Sequence, residues 1–200
     1  MGTIQCPFLL GVKMLSTIAE CINIYSEIKK YKYIFTLDNN EVISVRFASK
    51  HFHHLVGLHK LTDIPQVQVK PNVSNTSSIF RQLKNKKINE QSLKKSIFYN
   101  KITDRIAYFD TIPSLLRDCK FIVDFDHEKL PFDSELENTK YILYKRLNNG
   151  RIIHLTMVID NIGIINPETF FVHPNNDYLS EQKLLSVTDI KIEKIKTKPV

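Results

Sequence analysis

Two β-rich runs, KYILYKRL and RIIHLTMVID, are separated only by Asn148, Asn149 and Gly150. Asn and Gly tolerate the backbone angles of a tight turn, so the pair predicts an antiparallel hairpin. A hairpin is marginal in water until its apolar face is covered, so this one requires further strands or helices packed against it. Alternation puts Ile153, Leu155, Met157 and Ile159 on one face and His154 with Thr156 on the other. In the partner strand, Lys140, Tyr144 and Arg146 share a face with Ile142, which offers a surface for an anionic ligand.

The elements that would cover this hairpin are legible upstream and downstream. From Met14 to Lys30, apolar residues recur at three- and four-residue intervals, predicting an amphipathic helix. YKYIFTLDNNEVISVRF predicts a second hairpin, 32–37 with 42–47, turning at Asp38, Asn39 and Asn40. SNTSSIF caps another helical region, and a helix from Thr103 to Leu116 is interrupted by Pro113. Further strands are expected near Glu168–Val172 and Leu185–Ile195. The expected fold class is α+β, a helical N-terminal portion packed on a mostly antiparallel, about four-stranded C-terminal sheet. Residues 14–200 form one domain in this reading, with 14–118 mainly helical apart from the early hairpin, 119–200 mainly sheet, and 1–13 a loose extension.

Three cysteines without CxxC spacing argue against a disulfide framework or a cysteine-based zinc site, and they predict buried thiols in a reducing compartment. MGTIQCPFLLGVKML lacks the basic start and cleavage site of a secretory leader, and no apolar run reaches membrane-spanning length. A cytoplasmic protein is expected. Lys plus Arg outnumber Asp plus Glu by 28 to 21, giving +7, which favours an anionic partner such as nucleic acid. The charge is uneven. Lys84, Lys86, Lys87, Lys94 and Lys95 crowd beside the single acid Glu90, whereas 124–137 is acidic. The lysine run reads as a solvated helical face or as a nucleic-acid contact.

KHFHHLVGLHKL concentrates four of the seven histidines, His51, His53, His54 and His59, in nine residues. Histidine titrates near neutrality, so such a cluster suggests acid–base catalysis, metal binding or pH sensing. A short helix capped by Ser49 and ended near Gly57 would bury Phe52, Leu55 and Val56, point His53 and Lys60 away, and leave His54 at the border. A histidine-only zinc site through His51 and His54, or His54 and His59, lacks a third acidic or thiol ligand apart from Asp63, so no metal and no cofactor is expected. P-loop, dinucleotide, GxSxG and HExxH patterns are missing.

The order FASKHFHHLVGLHKL, YILYK, and PETFF followed by Tyr178 and a terminal strand resembles the phage-type Barnase-EndoU-Colicin-RelE-like nucleases, specifically the fourth of those families. The likeness spans about residues 30–195. It implies a metal-independent ribonuclease of a phage or mobile element, a toxin or effector acting on tRNA or another structured RNA of a bacterial host and restrained by an antitoxin or immunity protein. His54 matches the family histidine and Thr169 a hydroxyl position before the paired aromatics, while Lys60 and Tyr144 follow the pattern more loosely. Glu168 stands where some relatives carry a basic residue, which weakens phosphate binding at that spot.

Attack of an RNA 2′-hydroxyl on its own phosphate needs a base, an acid and cations or donors around the phosphorane. His54 suits base or acid, His59 the complementary role, Lys60 or Arg146 charge stabilisation, and Thr169 a hydrogen bond. Tyr144 and His154 join the lysine run as candidate nucleic-acid contacts. The alternative is a non-enzymatic RNA- or protein-binding factor on the same fold, including an inhibitor of a host protein.

Overall fold

Thr17 opens the first helix of the described residues by a reciprocal capping box with Glu20, its side chain accepting from the Glu20 amide at 3.2 Å. The structure, a computed structural model, describes residues 16–70 and 75–196; the expected extension 1–13 and Cys6 lie outside them. Helix α1 (Ile18–Ile28) buries Ile18, Ile22 and Ile28 as the spacing predicted, with Cys21 and Tyr25 completing the stripe; Ala19, expected on it, is exposed, and Leu15 lies outside the described residues. Strands β1 (Tyr31–Leu37) and β2 (Val42–Arg46) form the expected early hairpin, with Asn40 in the left-handed conformation at φ 65°.

Short helices and helical turns dominate the described residues between 49 and 118. A 3₁₀ turn (Ser49–His51) runs into α2 (Phe52–Leu55), and Gly57 at φ +83° ends it as expected. Ser49 does not cap by its side chain; the Ala48 amide instead donates to His51 Nδ1 at 3.2 Å. Asn75 caps α3 (Thr76–Lys84), followed by α4 (Glu90–Leu93), α5 (Asn100–Tyr108) and α6 (Ile112–Asp118). Pro113 sits in the first turn of α6, where a missing amide proton costs nothing, so it starts a helix and a 3₁₀ turn separates the two.

The expectation of an about four-stranded C-terminal sheet is wrong. β3 (Phe121–Asp124), β4 (Thr139–Arg146), β5 (Ile152–Ile159), β6 (Ile165–His173) and β7 (Lys183–Lys194) join the early hairpin in a closed barrel of order β1-β2-β6-β5-β4-β3-β7. β7 is long enough to pair antiparallel with both β3 and β1, and β2 meets β6 in parallel through Val45 and Ile165. Closure removes the open edges that a smaller sheet would leave.

One hydrophobic cluster unites the helices with one sheet face, including Tyr33, Phe35, Leu143, Ile153, Leu155 and Phe170. A second, on the other face of β3–β5, holds Val123, Ile142 and Ile152 under Phe125, Leu136 and Leu179. The β5 residues Ile152–Met157 are therefore buried on both faces, His154 and Thr156 included. Phe52 fixes α2 in the first cluster, its ring 4.9 Å from that of Phe80 and 5.1 Å from that of Tyr25.

Gly57 does more than end a helix. A Cβ there would stand 2.9 Å from Arg105 Cδ and 3.0 Å from Ile102 Cγ2. The left-handed backbone alone disfavours an L-residue by roughly 1–2 kcal/mol. Gly57→Ala is expected to lower the thermal unfolding midpoint by several degrees and to reduce activity further by displacing Arg105. An unchanged midpoint would show that the backbone relaxes freely at this position.

Candidate active site

The short α2 and the turn after it present His54, His59 and Lys60 to a cleft of about 460 Å³, whose other walls include Arg105 from α5, Glu168, Thr169 and Phe171 from β6, the segment 133–136, and Tyr178. Five separate pieces of sequence thus converge. Phe52, Leu55 and Val56 anchor this turn in the core, and His54 is exposed on its cleft side.

Arg105 organises the centre. It lies on the buried stripe of α5 with Ile102 and Ile106 and is only 8% exposed. Its Nη1 donates to the His54 carbonyl at 3.0 Å and to Thr169 Oγ1 at 2.8 Å, tying α5, α2 and β6 together. Burial brings the guanidinium down to about 10, opposed by Glu135, so it stays cationic at neutral pH. Because Thr169 accepts from Arg105, its own hydroxyl proton is left for a ligand.

A β-bulge supplies the third wall. Leu155 pairs with Phe170 and Met157 with Pro167, so Glu168 and Thr169 together oppose the single residue Thr156. Pro167 has no amide proton to donate to a ladder, and an extra residue on one strand re-aims the side chains around it. Glu168 and Thr169 consequently both line the cleft. Glu168 Oε2 accepts from Thr139 Oγ1 at 2.8 Å and Thr156 Oγ1 at 3.3 Å, which fixes the carboxylate near His54.

The histidines differ by environment. Burial pushes His54 below the ordinary imidazole range; Glu168 opposes this and Arg105 reinforces it. His59 is pushed down to about 3 by burial and by the charges of His54, Arg105, Lys60 and His53. Its ring stacks on His54 with centroids 4.9 Å apart. Lys60 is half-buried, and burial and Arg105 lower its pKa, with Glu135 pulling it back up. His53, expected to point away from the core, is 2% exposed, because the chain returns over that side of α2 and the Val67 carbonyl meets His53 Nε2 at 2.7 Å. The helical wheel assumed solvent there. His51 is buried too and lines a neighbouring pocket on the other side of His54.

The cleft therefore gathers His54, His59, Lys60 and Thr169 of the sequence-derived candidates. Arg146 is outside its lining and donates from the exposed surface to Asn176 Oδ1 at 2.8 Å. Tyr144 is half-buried beside the second cluster, and His154 is fully buried, stacked on Phe171 with ring centroids 4.6 Å apart. Lys84, Lys86, Lys87, Lys94 and Lys95 are exposed but line no part of the cleft, and Lys94 pairs with Glu90 at 2.8 Å. Asp63 is engaged by Ser96 Oγ at 2.5 Å and the Ile97 amide at 2.9 Å. Sequence reasoning missed Arg105 altogether, although a charge on the 102–106–109 apolar stripe was a readable signal.

Among the described residues, no helix is long and apolar enough to cross a membrane. The family model of the phage-Barnase-EndoU-ColicinE5/D-RelE like nuclease4 matches residues 17–199. No curated protein and no solved structure matches the chain.

Proposed function

Because the chain belongs to this nuclease family, and its substrate is therefore a nucleic acid, we propose that the cleft cleaves RNA without a metal ion, by attack of a 2′-hydroxyl on the adjacent phosphate. The observation that carries this reading is the convergence of an exposed histidine, a buried arginine and a hydroxyl on one cleft. His54, neutral at physiological pH, takes the 2′-hydroxyl proton. The new O–P bond displaces the 5′-oxygen, leaving a 2′,3′-cyclic phosphate on one fragment and a 5′-hydroxyl on the other. Arg105 and the Thr169 hydroxyl stabilise the charge that builds on the phosphorane oxygens.

His59 is too weakly basic to hold a proton near neutrality, so the acid role passes from it to Lys60, the other proton carrier on the same turn. Glu168 supports the imidazolium that forms on His54. The positive charge that position 168 does not provide comes instead from Arg105, across the same cleft. Phe171 and Tyr178 offer aromatic faces against which a base can stack. The exposed lysines of 84–95 add sequence-independent attraction for the RNA backbone outside the cleft. A structured host RNA such as tRNA, a cytoplasmic setting and restraint by an antitoxin complete the proposal.

The pH–rate profile tests these assignments. In excess chelator, the rate should rise from acid pH with a midpoint below the unperturbed histidine value of ~6.5, since His54 works deprotonated and its pKa is lowered. It should fall again on the alkaline side as Lys60 loses its proton, below the ordinary lysine value of ~10.4. His59→Gln should keep both limbs. A limb that disappears in this variant would return the acid role to His59.

A further inference from the structure

His53, His54 and His59 each present a ring nitrogen such that the three atoms lie within 4.8 Å of one another. We propose that these histidines form a binding site for a divalent transition metal, zinc above all, and that occupancy switches the nuclease off by taking His54 out of proton transfer. The inhibitory part rests on the cleavage reading above; the site itself does not.

Two observations support it. His53 Nε2 is committed to the Val67 carbonyl at 2.7 Å, which places the ring proton on that nitrogen and leaves Nδ1 with its lone pair. A metal-binding histidine is characteristically oriented in this way, by a hydrogen bond from its other nitrogen to a carbonyl. Nδ1 of His53 and Nδ1 of His59 are both buried and have no hydrogen-bond partner among the described residues. Buried polar atoms are nearly always satisfied, so two unpartnered imidazole nitrogens on neighbouring rings are a cost that a bound cation would remove.

The charges around the cluster set the strength. Arg105 and Lys60 repel a cation, whereas Glu168 attracts one. Zinc–nitrogen bonds of roughly 2.0–2.1 Å require the nitrogens to draw closer than they stand, which the exposed His54 ring can do by rotating. Three histidines leave a fourth position for water. Such a site is reversible, weaker than a structural zinc centre, and suited to inhibition rather than to holding the fold. The buried His53 supplies the anchor and the exposed His54 the closing ligand.

The test uses tag-free, full-length protein and zinc chloride alone, with binding followed by titration calorimetry and cleavage of total RNA measured in parallel. One zinc per chain should bind, and saturating zinc should lower the cleavage rate by more than about tenfold, with recovery in chelator. His53→Gln, which can keep a hydrogen bond to Val67, should weaken zinc binding by more than about tenfold while leaving cleavage in chelator unchanged. If that variant fails to fold, cobalt(II) added to the parent protein should give the intense visible absorption of a four-coordinate site, and zinc should erase it. No zinc binding by the parent, binding unaffected in folded His53→Gln, or only weak six-coordinate cobalt absorption would overturn the site. Zinc that binds through His53 and leaves cleavage unaltered would overturn the switch. Cleavage absent in chelator and restored by zinc would overturn both the switch and the metal-independent reading while leaving the site standing.

Discussion

Replacing His54 by Ala is expected to lower the rate of RNA cleavage by roughly 10²- to 10⁴-fold, the usual contribution of a positioned general base. The thermal unfolding midpoint should barely move. The side chain is exposed on the cleft side of α2, and the three residues that anchor this turn, Phe52, Leu55 and Val56, are untouched. Arg105 holds the His54 backbone carbonyl rather than its ring, so the substitution keeps the link between α5 and α2. The loss should appear in kcat more than in KM, since the proton transfer is made only in the transition state. A folded variant with the parent rate would remove His54 from the chemistry.

Arg105→Lys is expected to cost about 10²- to 10³-fold in kcat, the range found when one charge-stabilising donor is removed from a preorganised site. A lysine keeps the charge but not the planar fork that reaches two acceptors and still faces a ligand. Arg105→Met should be worse for the fold, because it leaves Thr169 Oγ1 and the His54 carbonyl without the donor they share, at a cost of about 1–3 kcal/mol. It also gives a pH signature. Arg105 holds the His54 pKa down, so its removal should move the acid limb of the pH–rate profile to higher pH, whereas Glu168→Gln should move it lower. Activity that survives Arg105→Lys, together with an unshifted profile in Arg105→Met, would assign Arg105 to packing alone.

The hairpins were legible because their turn residues and alternation are local properties, and β1–β2 and β4–β5 lie within a residue or two of where the sequence puts them. Barrel closure was not. It depends on β7 pairing with β1 across some 150 residues, a contact that no local periodicity encodes. The same limit explains the site. His54 stood out by its place at the border of an apolar face, and Thr169 by its likeness to a family position, but the bulge that turns Glu168 and Thr169 into one cleft is created by strand pairing. His154 was misplaced on the surface because alternation implied a solvated face on β5, and the second cluster together with Phe171 and Tyr178 covers that face. Arg105 was passed over because a lone arginine within an apolar helix stripe reads by default as a solvated charge, whereas here the helix carries it inward to two acceptors.

Whether the cleft cleaves RNA on its own is answered most directly by incubating the purified protein with total RNA in excess chelator and sequencing the new ends. The expected result is a discrete set of ends, each pair a 2′,3′-cyclic phosphate and a 5′-hydroxyl, that vanishes with His54→Ala. RNA that is bound but left intact, in chelator and with added divalent metals alike, would contradict a nuclease and identify the protein as a binding factor on a nuclease fold.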